Sequence, residues 1–186
     1  MLCTVDDVQS RAHADLADWD EEHIASVIAA ISARIDVETL REFEVSASET
    51  RVFEAQRDGV VNIDDAVTIA EVAWMSSEYA TPVSTTVYRT RRNRGQGIYA
   101  LEHGEWAEED LIRVTGTFGY ASSVPADIWD IAVAWTIRTL KSADAAYQDA
   151  TAIPELGQLV YSKAIPADVA RVLQRYRRVT PVMRIE

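Results

Sequence analysis

Cysteine is almost missing from this chain: Cys3 is the only one in 186 residues. A single thiol closes no internal disulfide and has no second sulfur for a cysteine metal site, so it reads as a near-terminal, exposed thiol. Histidine is scarce too, and His13, His23 and His103 lack the paired helical spacing of a zinc site. No apolar run approaches the roughly 20 residues that cross a bilayer. The longest, 128–140, is broken by Asp130, Thr136 and Arg138. Residues 1–7 have no basic flank leading into an apolar core, so no secretory signal is read and folding in a cytoplasm is expected. Gly116-Thr117-Phe118-Gly119 has neither the glycine spacing of a dinucleotide fingerprint nor the lysine of a phosphate loop. No Gly-x-Ser-x-Gly elbow occurs. The acidic cluster Asp15, Asp18, Asp20, Glu21 and Glu22 lacks the glycine and distal glutamate of a calcium loop and is read as helix capping plus solvation. The expectation is therefore no catalytic residue, no metal ligand and no cofactor.

Positive charge is also short. The net charge of -12 repels phosphate over most of the surface, so any contact with nucleic acid has to be local. The deficit is uneven: residues 1–80 carry 5 arginines against 18 acids, whereas 81–186 carry 13 basic residues against 12 acids. Two parts of the chain thus meet different electrostatic surroundings. At 48% hydrophobic, the chain can bury one core and a second small module beside it.

The pattern along the chain predicts an α+β fold, mainly α: a small helical bundle with a β-rich insertion and an extended C-terminal tail. Thr4, followed by Asp6 and Asp7, caps a short helix over about 5–14. Asp20 opens a second, in which Ile24, Val27, Ile28, Ile31 and Ile35 form one apolar stripe running to about Leu40. From Glu49 the texture becomes short β-rich runs at 50–55, 60–63, 67–74 and 111–115, with Asp58-Gly59 as a tight hairpin turn. Residues 83–101 read as a long exposed hairpin or loop. After Gly119 a helix starts at Pro125, a polar loop-like stretch covers about 142–163, and a short helix covers about 166–176. The Val124-Pro125-Ala126-Asp127-Ile128 helix start returns as Ile165-Pro166-Ala167-Asp168-Val169. The segments are 1–48, N-terminal helices; 49–118, the insertion; 119–179, helices completing the bundle; and 180–186, the tail.

Three groups stand out as contact candidates. Ile128, Trp129, Ile131, Val133 and Trp135 cover more than one helix face, which fits a core that also meets a neighbouring subunit. Arg89, Arg91, Arg92 and Arg94 form one local basic run, either a solvated hairpin tip that guards an edge or a finger for phosphate or an acidic protein surface. Arg171, Arg175, Arg177 and Arg178 make a second patch ahead of the tail, where Val182 and Ile185 are apolar anchors for pairing with a partner's sheet edge or groove.

The stretch Val114-Thr115-Gly116-Thr117-Phe118-Gly119-Tyr120-Ala121, then Val124-Pro125-Ala126-Asp127-Ile128 opening a hydrophobic helix, resembles the head-to-tail connector (adaptor) proteins of long-tailed double-stranded DNA phages. Ile165-Pro166-Ala167-Asp168-Val169 with Leu173 and Tyr176-Arg177-Arg178 is similar to the end of that family, and Thr50-Arg51-Val52-Phe53 to its entry into β-structure. The likeness spans nearly the whole chain and is weakest over 75–110. It implies a homo-oligomeric ring, a dodecamer, under the portal protein of a virion neck. Such a ring extends the channel for double-stranded DNA and offers a platform to a stopper or tail-side neck protein. It also implies that the C-terminal region engages the portal. The competing readings are another neck component, a stopper or tail-completion protein, and a soluble nucleic-acid-binding regulatory module.

Overall fold

The computed structural model describes residues 1–13, 19–77, 80–92, 97–148, 165–179, 182 and 184–185, with backbone only at 57, 143–148, 184 and 185. The chain divides into two compact units, Met1–Thr39 with Pro125–Arg177, and Leu40–Val124 with Arg178–Glu186. The expected segment borders at 48/49, 118/119 and 179/180 differ from these. The second unit starts earlier and takes in 119–124, where Tyr120 N donates to Glu42 O and Gly97 N to Tyr120 O, and 178–179, where the Arg178 side chain donates to the Ile63 carbonyl.

The first unit holds α1 (Val5–Ala12), α2 (Glu21–Thr39), α3 (Ala126–Gln148) and α4 (Ala167–Tyr176). Thr4 and Asp7 close a reciprocal cap on α1: Thr4 Oγ1 accepts from Asp7 N at 3.1 Å and Asp7 Oδ2 accepts from Thr4 N at 2.8 Å. The α2 stripe turns Ile24, Ile28, Ile31 and Ile35 inward, and Leu40, at φ 55°, ends the helix. Helix α3 packs against α1, α2 and α4, which is why its apolar residues cover more than one face. It continues to Gln148, so the loop-like reading from Ser142 is corrected; the rest of that stretch, 149–163, lies outside the described residues. Alanines at 143, 145 and 146 sustain the helix despite the polar neighbours. Cys3 is corrected as well: it is 4% exposed, since Leu2 N donates to Ser32 Oγ at 3.1 Å and holds the N-terminus against α2. Burial pushes its thiol up to about 11.

The two Pro-Ala-Asp starts do open α3 and α4, and each aspartate grips the other helix. Asp127 accepts from Tyr176 Oη at 2.5 Å and Arg175 at 3.1 Å, while Asp168 takes the Arg138 fork at 2.7 and 2.8 Å. That pairing, together with the helix N-terminus, holds the Asp168 carboxyl down at about 2.

The second unit is a seven-stranded antiparallel sheet: β1 (Glu49–Glu54), β2 (Val60–Met75), β3 (Val83–Ser84), β4 (Arg89–Arg92), β5 (Ile98–Glu102), β6 (Leu111–Phe118) and β7 (Arg184–Ile185). The order is β4-β5-β2-β6-β1-β7, with β3 also on β2. The two separate runs at 60–63 and 67–74 are one strand whose first half pairs with β5 and second half with β6, through register shifts near Ala66 and between Ile69 and Glu71. Asp58 and Gly59 both have positive φ, as a tight hairpin turn requires. Gly116 faces the bulged stretch of β2, where a Cβ would lie 2.1 Å from Thr68 O; this is why a glycine stands inside a strand. Phe53, Val61, Ile63, Val72, Leu101, Ile112 and Phe118 form the core. A sheet with a core of its own corrects the "mainly α" part of the expectation. The chain is α+β, and β-structure is a unit in its own right rather than an ornament of a bundle.

Candidate functional site

The α3 residues are mostly internal. Ile128, Ile131, Val133 and Trp135 are buried, and the Arg34 guanidinium lies 5.7 Å from the Trp135 ring centre. Trp129 differs: it is half-buried, donates Nε1–H to Asp7 Oδ2 at 3.2 Å, and carries the Arg11 guanidinium 5.6 Å from its ring centre. Arg11 in turn pairs with Asp130 at 2.5 Å.

Of the set Arg171, Arg175, Arg177, Arg178, Val182 and Ile185, the first three belong to the helical unit and the last three to the sheet unit. Arg171, Arg175 and Arg177 are exposed on or just after α4. Arg178 is buried in the sheet unit, donating to the Ile63 carbonyl with Asp64 at 4.0 Å, and burial lowers the pKa of its guanidinium. Its charge thus faces the Ile63 carbonyl and Asp64 inside the sheet unit. The tail docks on its own chain, Ile185 pairing with Val52 and Arg184 with Phe53, while Val182 packs against the sheet core. The physics expected of a partner's sheet edge is met by β1 itself.

Of the arginine run, Arg89, Arg91 and Arg92 stand exposed on β4, the edge strand, and Arg94 lies outside the described residues. Arg91 pairs with Glu102 at 3.1 Å. Among the described residues Arg89 and Arg92 have no ion pair.

Sequence reasoning passed over Arg51, the most densely bonded side chain of the sheet unit. It bonds Glu42 (2.6 Å), Glu49 (2.6 Å) and Asp64 (2.7 Å), and its guanidinium lies 4.3 Å from the centre of the Phe118 ring. Burial works against its charge, but these carboxylates raise its pKa and keep it ionised. A signal existed, since Arg51, Phe53 and Ala55 share the inward phase of the strand. Nearby, Arg41 pairs with buried Asp65 at 2.6 Å. Among the described residues no group of three or more His, Cys, Asp or Glu is placed to hold a metal, and no helix is long and apolar enough to cross a membrane. What the geometry offers is surfaces and ion-pair networks.

Comparison with solved structures finds this fold elsewhere. A chain from the neck of an empty gene transfer agent (GTA) particle, computed with C6 symmetry, is 16% identical with a TM-score of 0.62, over 97% of this chain and 91% of that one. A chain from the virion of a native GTA particle is 14% identical with a TM-score of 0.64 over the same shares. A third, from the neck of a native GTA particle computed with C12 symmetry, is 17% identical with a TM-score of 0.52, over 96% and 94%. No family model matches the chain, and no curated protein matches it by sequence. At these identities the likeness establishes the fold.

Proposed function

We propose that the protein is a structural subunit of the neck of a phage-like particle, and within the neck a head-to-tail connector that assembles as a ring under the portal. The observation that carries this reading is the near end-to-end likeness to chains of GTA particles, two of them from necks computed with sixfold and twelvefold symmetry. Symmetric closure needs two different patches on each copy. Trp129, half-exposed on α3, supplies one candidate. Portal contact falls to Arg171 and Arg177, with Arg175 sharing its charge with Asp127. Arg178, Val182 and Ile185 serve the chain's own sheet unit. The acidic balance suits a conduit that lets double-stranded DNA pass without gripping it.

The test is to mix the purified chain with the portal protein of the same genome and image the product. Rings seated on the portal are expected. A chain that stays monomeric and binds DNA in a salt-sensitive way would instead be the regulatory module. Rings that ignore the portal but bind the next neck protein would make it a stopper-like component, which the likeness to neck chains also accommodates.

A further inference from the structure

The sheet unit carries an open groove beside β3 and β4. After β3 the chain runs through residues 85–88 held by one backbone bond, Thr85 N to Val72 O at 2.9 Å, before entering β4. Two adjoining hollows of about 510 and 700 Å³ flank this stretch and share Val87, His103 and Glu105. The smaller is walled by Trp74, Trp106 and Val83. His103 leans on Trp106 with ring centres 5.3 Å apart, and its Nδ1 accepts from Glu105 N at 3.2 Å. Val83 and Val87 are 55% and 70% exposed, water-facing apolar groups beside aromatic rings. The indole N–H of Trp74 is enclosed without an acceptor among the described residues, so this wall is not packed to completion in the chain alone.

Beside the groove lies β4. Among the described residues it pairs only with β5, all four of its side chains are exposed, and no strand lies on its outer edge, which leaves a row of backbone donors and acceptors. Arg91 is engaged by Glu102, whereas Arg89 and Arg92 are not neutralised among the described residues. Arginines on an edge can merely block promiscuous pairing. That role does not account for the exposed valines and the open aromatic hollow leading into the same strand.

We propose that β4 and this groove form a docking site for an extended acidic segment of a partner protein. The segment adds a strand to the β4 edge, its carboxylates meet Arg89 and Arg92, and an apolar side chain seats in the hollow beside Val87 and Trp106. Basic edge residues thereby reject neutral and basic strands and select acidic ones. A protein segment fits better than nucleic acid because the β4 edge matches the donor and acceptor spacing of a peptide backbone and the hollow, walled by Val83, Val87 and Trp106, takes an apolar side chain that a duplex does not present. The site does not depend on ring formation or on the portal.

It is tested with the full chain and a labelled synthetic peptide in which Glu or Asp alternates with Val around one central Phe, read by fluorescence anisotropy. Saturable binding is expected. It should be absent for the Lys-for-acid counterpart, lost when alternate backbone amides are N-methylated, and weakened at least about tenfold, or about 1.4 kcal/mol, by Arg89→Glu with Arg92→Glu. Both arginines are exposed, so an unchanged melting curve confirms that the double variant is folded. The inference is overturned by no saturation at millimolar peptide, by equal binding of the acidic and basic peptides, by retained affinity of the N-methylated peptide, or by tighter binding of duplex DNA.

Discussion

At the scale of single residues, two buried groups decide more than their sequence neighbourhoods disclose. Arg51 bridges three carboxylates from three places in the chain, Glu42, Glu49 and Asp64, over the face of Phe118. Removing it leaves those carboxylates facing one another without a counter-charge. Arg51→Ala is expected to cost about 3 kcal/mol in chemical denaturation, the low end for breaking a buried pair because Glu42 and Glu49 remain partly solvated. Arg51→Lys should rescue only part of this, since an ammonium lacks the planar fork that serves several partners at once. Cys3 gives a second measurement. Its thiol is raised from 9.0 to about 11, so the folded state favours the protonated form. The associated stability is complete below about 9 and is lost as pH rises through 11. Maleimide should label native chain at least about a hundredfold more slowly than denatured chain near neutral pH, the factor that two pH units of thiolate fraction imply. Equal rates would mean that the N-terminus is not held against α2.

At the scale of elements, α3 and α4 are joined by a reciprocal clasp in which the aspartate starting each helix takes an arginine of the other. Asp168 has its carboxyl lowered to about 2, so its stabilisation is fully present above the ordinary carboxylate range and disappears as pH falls through about 2. Both partners are at least half exposed, and screening limits the worth of the pair to under about 1 kcal/mol. Asp168→Asn should lower thermal stability slightly at neutral pH, by an amount that shrinks steadily as pH falls from about 4 through 2. A carboxyl NMR titration of Asp168 near the ordinary value would refute the clasp in solution. The tail behaves as an element too. Deleting 180–186 removes β7 from β1 and Val182 from the sheet core, so a loss of about 1–2 kcal/mol is expected, with faster hydrogen exchange in the Val52–Phe53 stretch of β1. An unaltered exchange pattern would show the tail to be free.

At the scale of the whole molecule, two units are linked by a chain that passes between them after Thr39, Val124 and Arg177. Assembly has to use what folding leaves outside. Trp135 is 4% exposed and belongs to the interior, so Trp135→Ala should cost about 3–5 kcal/mol of folding stability. Trp129 is half-buried, so Trp129→Ala should cost less in melting and act mainly by weakening ring formation, read by sedimentation velocity. If that variant forms rings at the parental concentration, Trp129 is not at the subunit contact.

Much of this was legible beforehand because it depends on neighbours in sequence. The Thr4 cap, the isoleucine stripe of α2, the Asp58-Gly59 turn and the paired Pro-Ala-Asp helix starts all follow from local rules of capping, periodicity and positive φ. The order of helix, β-rich stretch and helix was readable for the same reason, and so was the exposure of Arg89, Arg91 and Arg92. What only the tertiary structure decided are matters of distance between residues far apart in the chain. Cys3 is buried because Ser32 holds Leu2, and Gly116 is required because Thr68 O approaches it. Arg178 is internal because the Ile63 carbonyl and Asp64 receive it, although in sequence it is one more arginine beside Arg177. The tail is a strand because β1 has an open edge at Val52 and Phe53. A local pattern states which face is apolar and where a helix begins; which remote group comes to meet that face depends on the packing of the whole chain, and no window of sequence contains it.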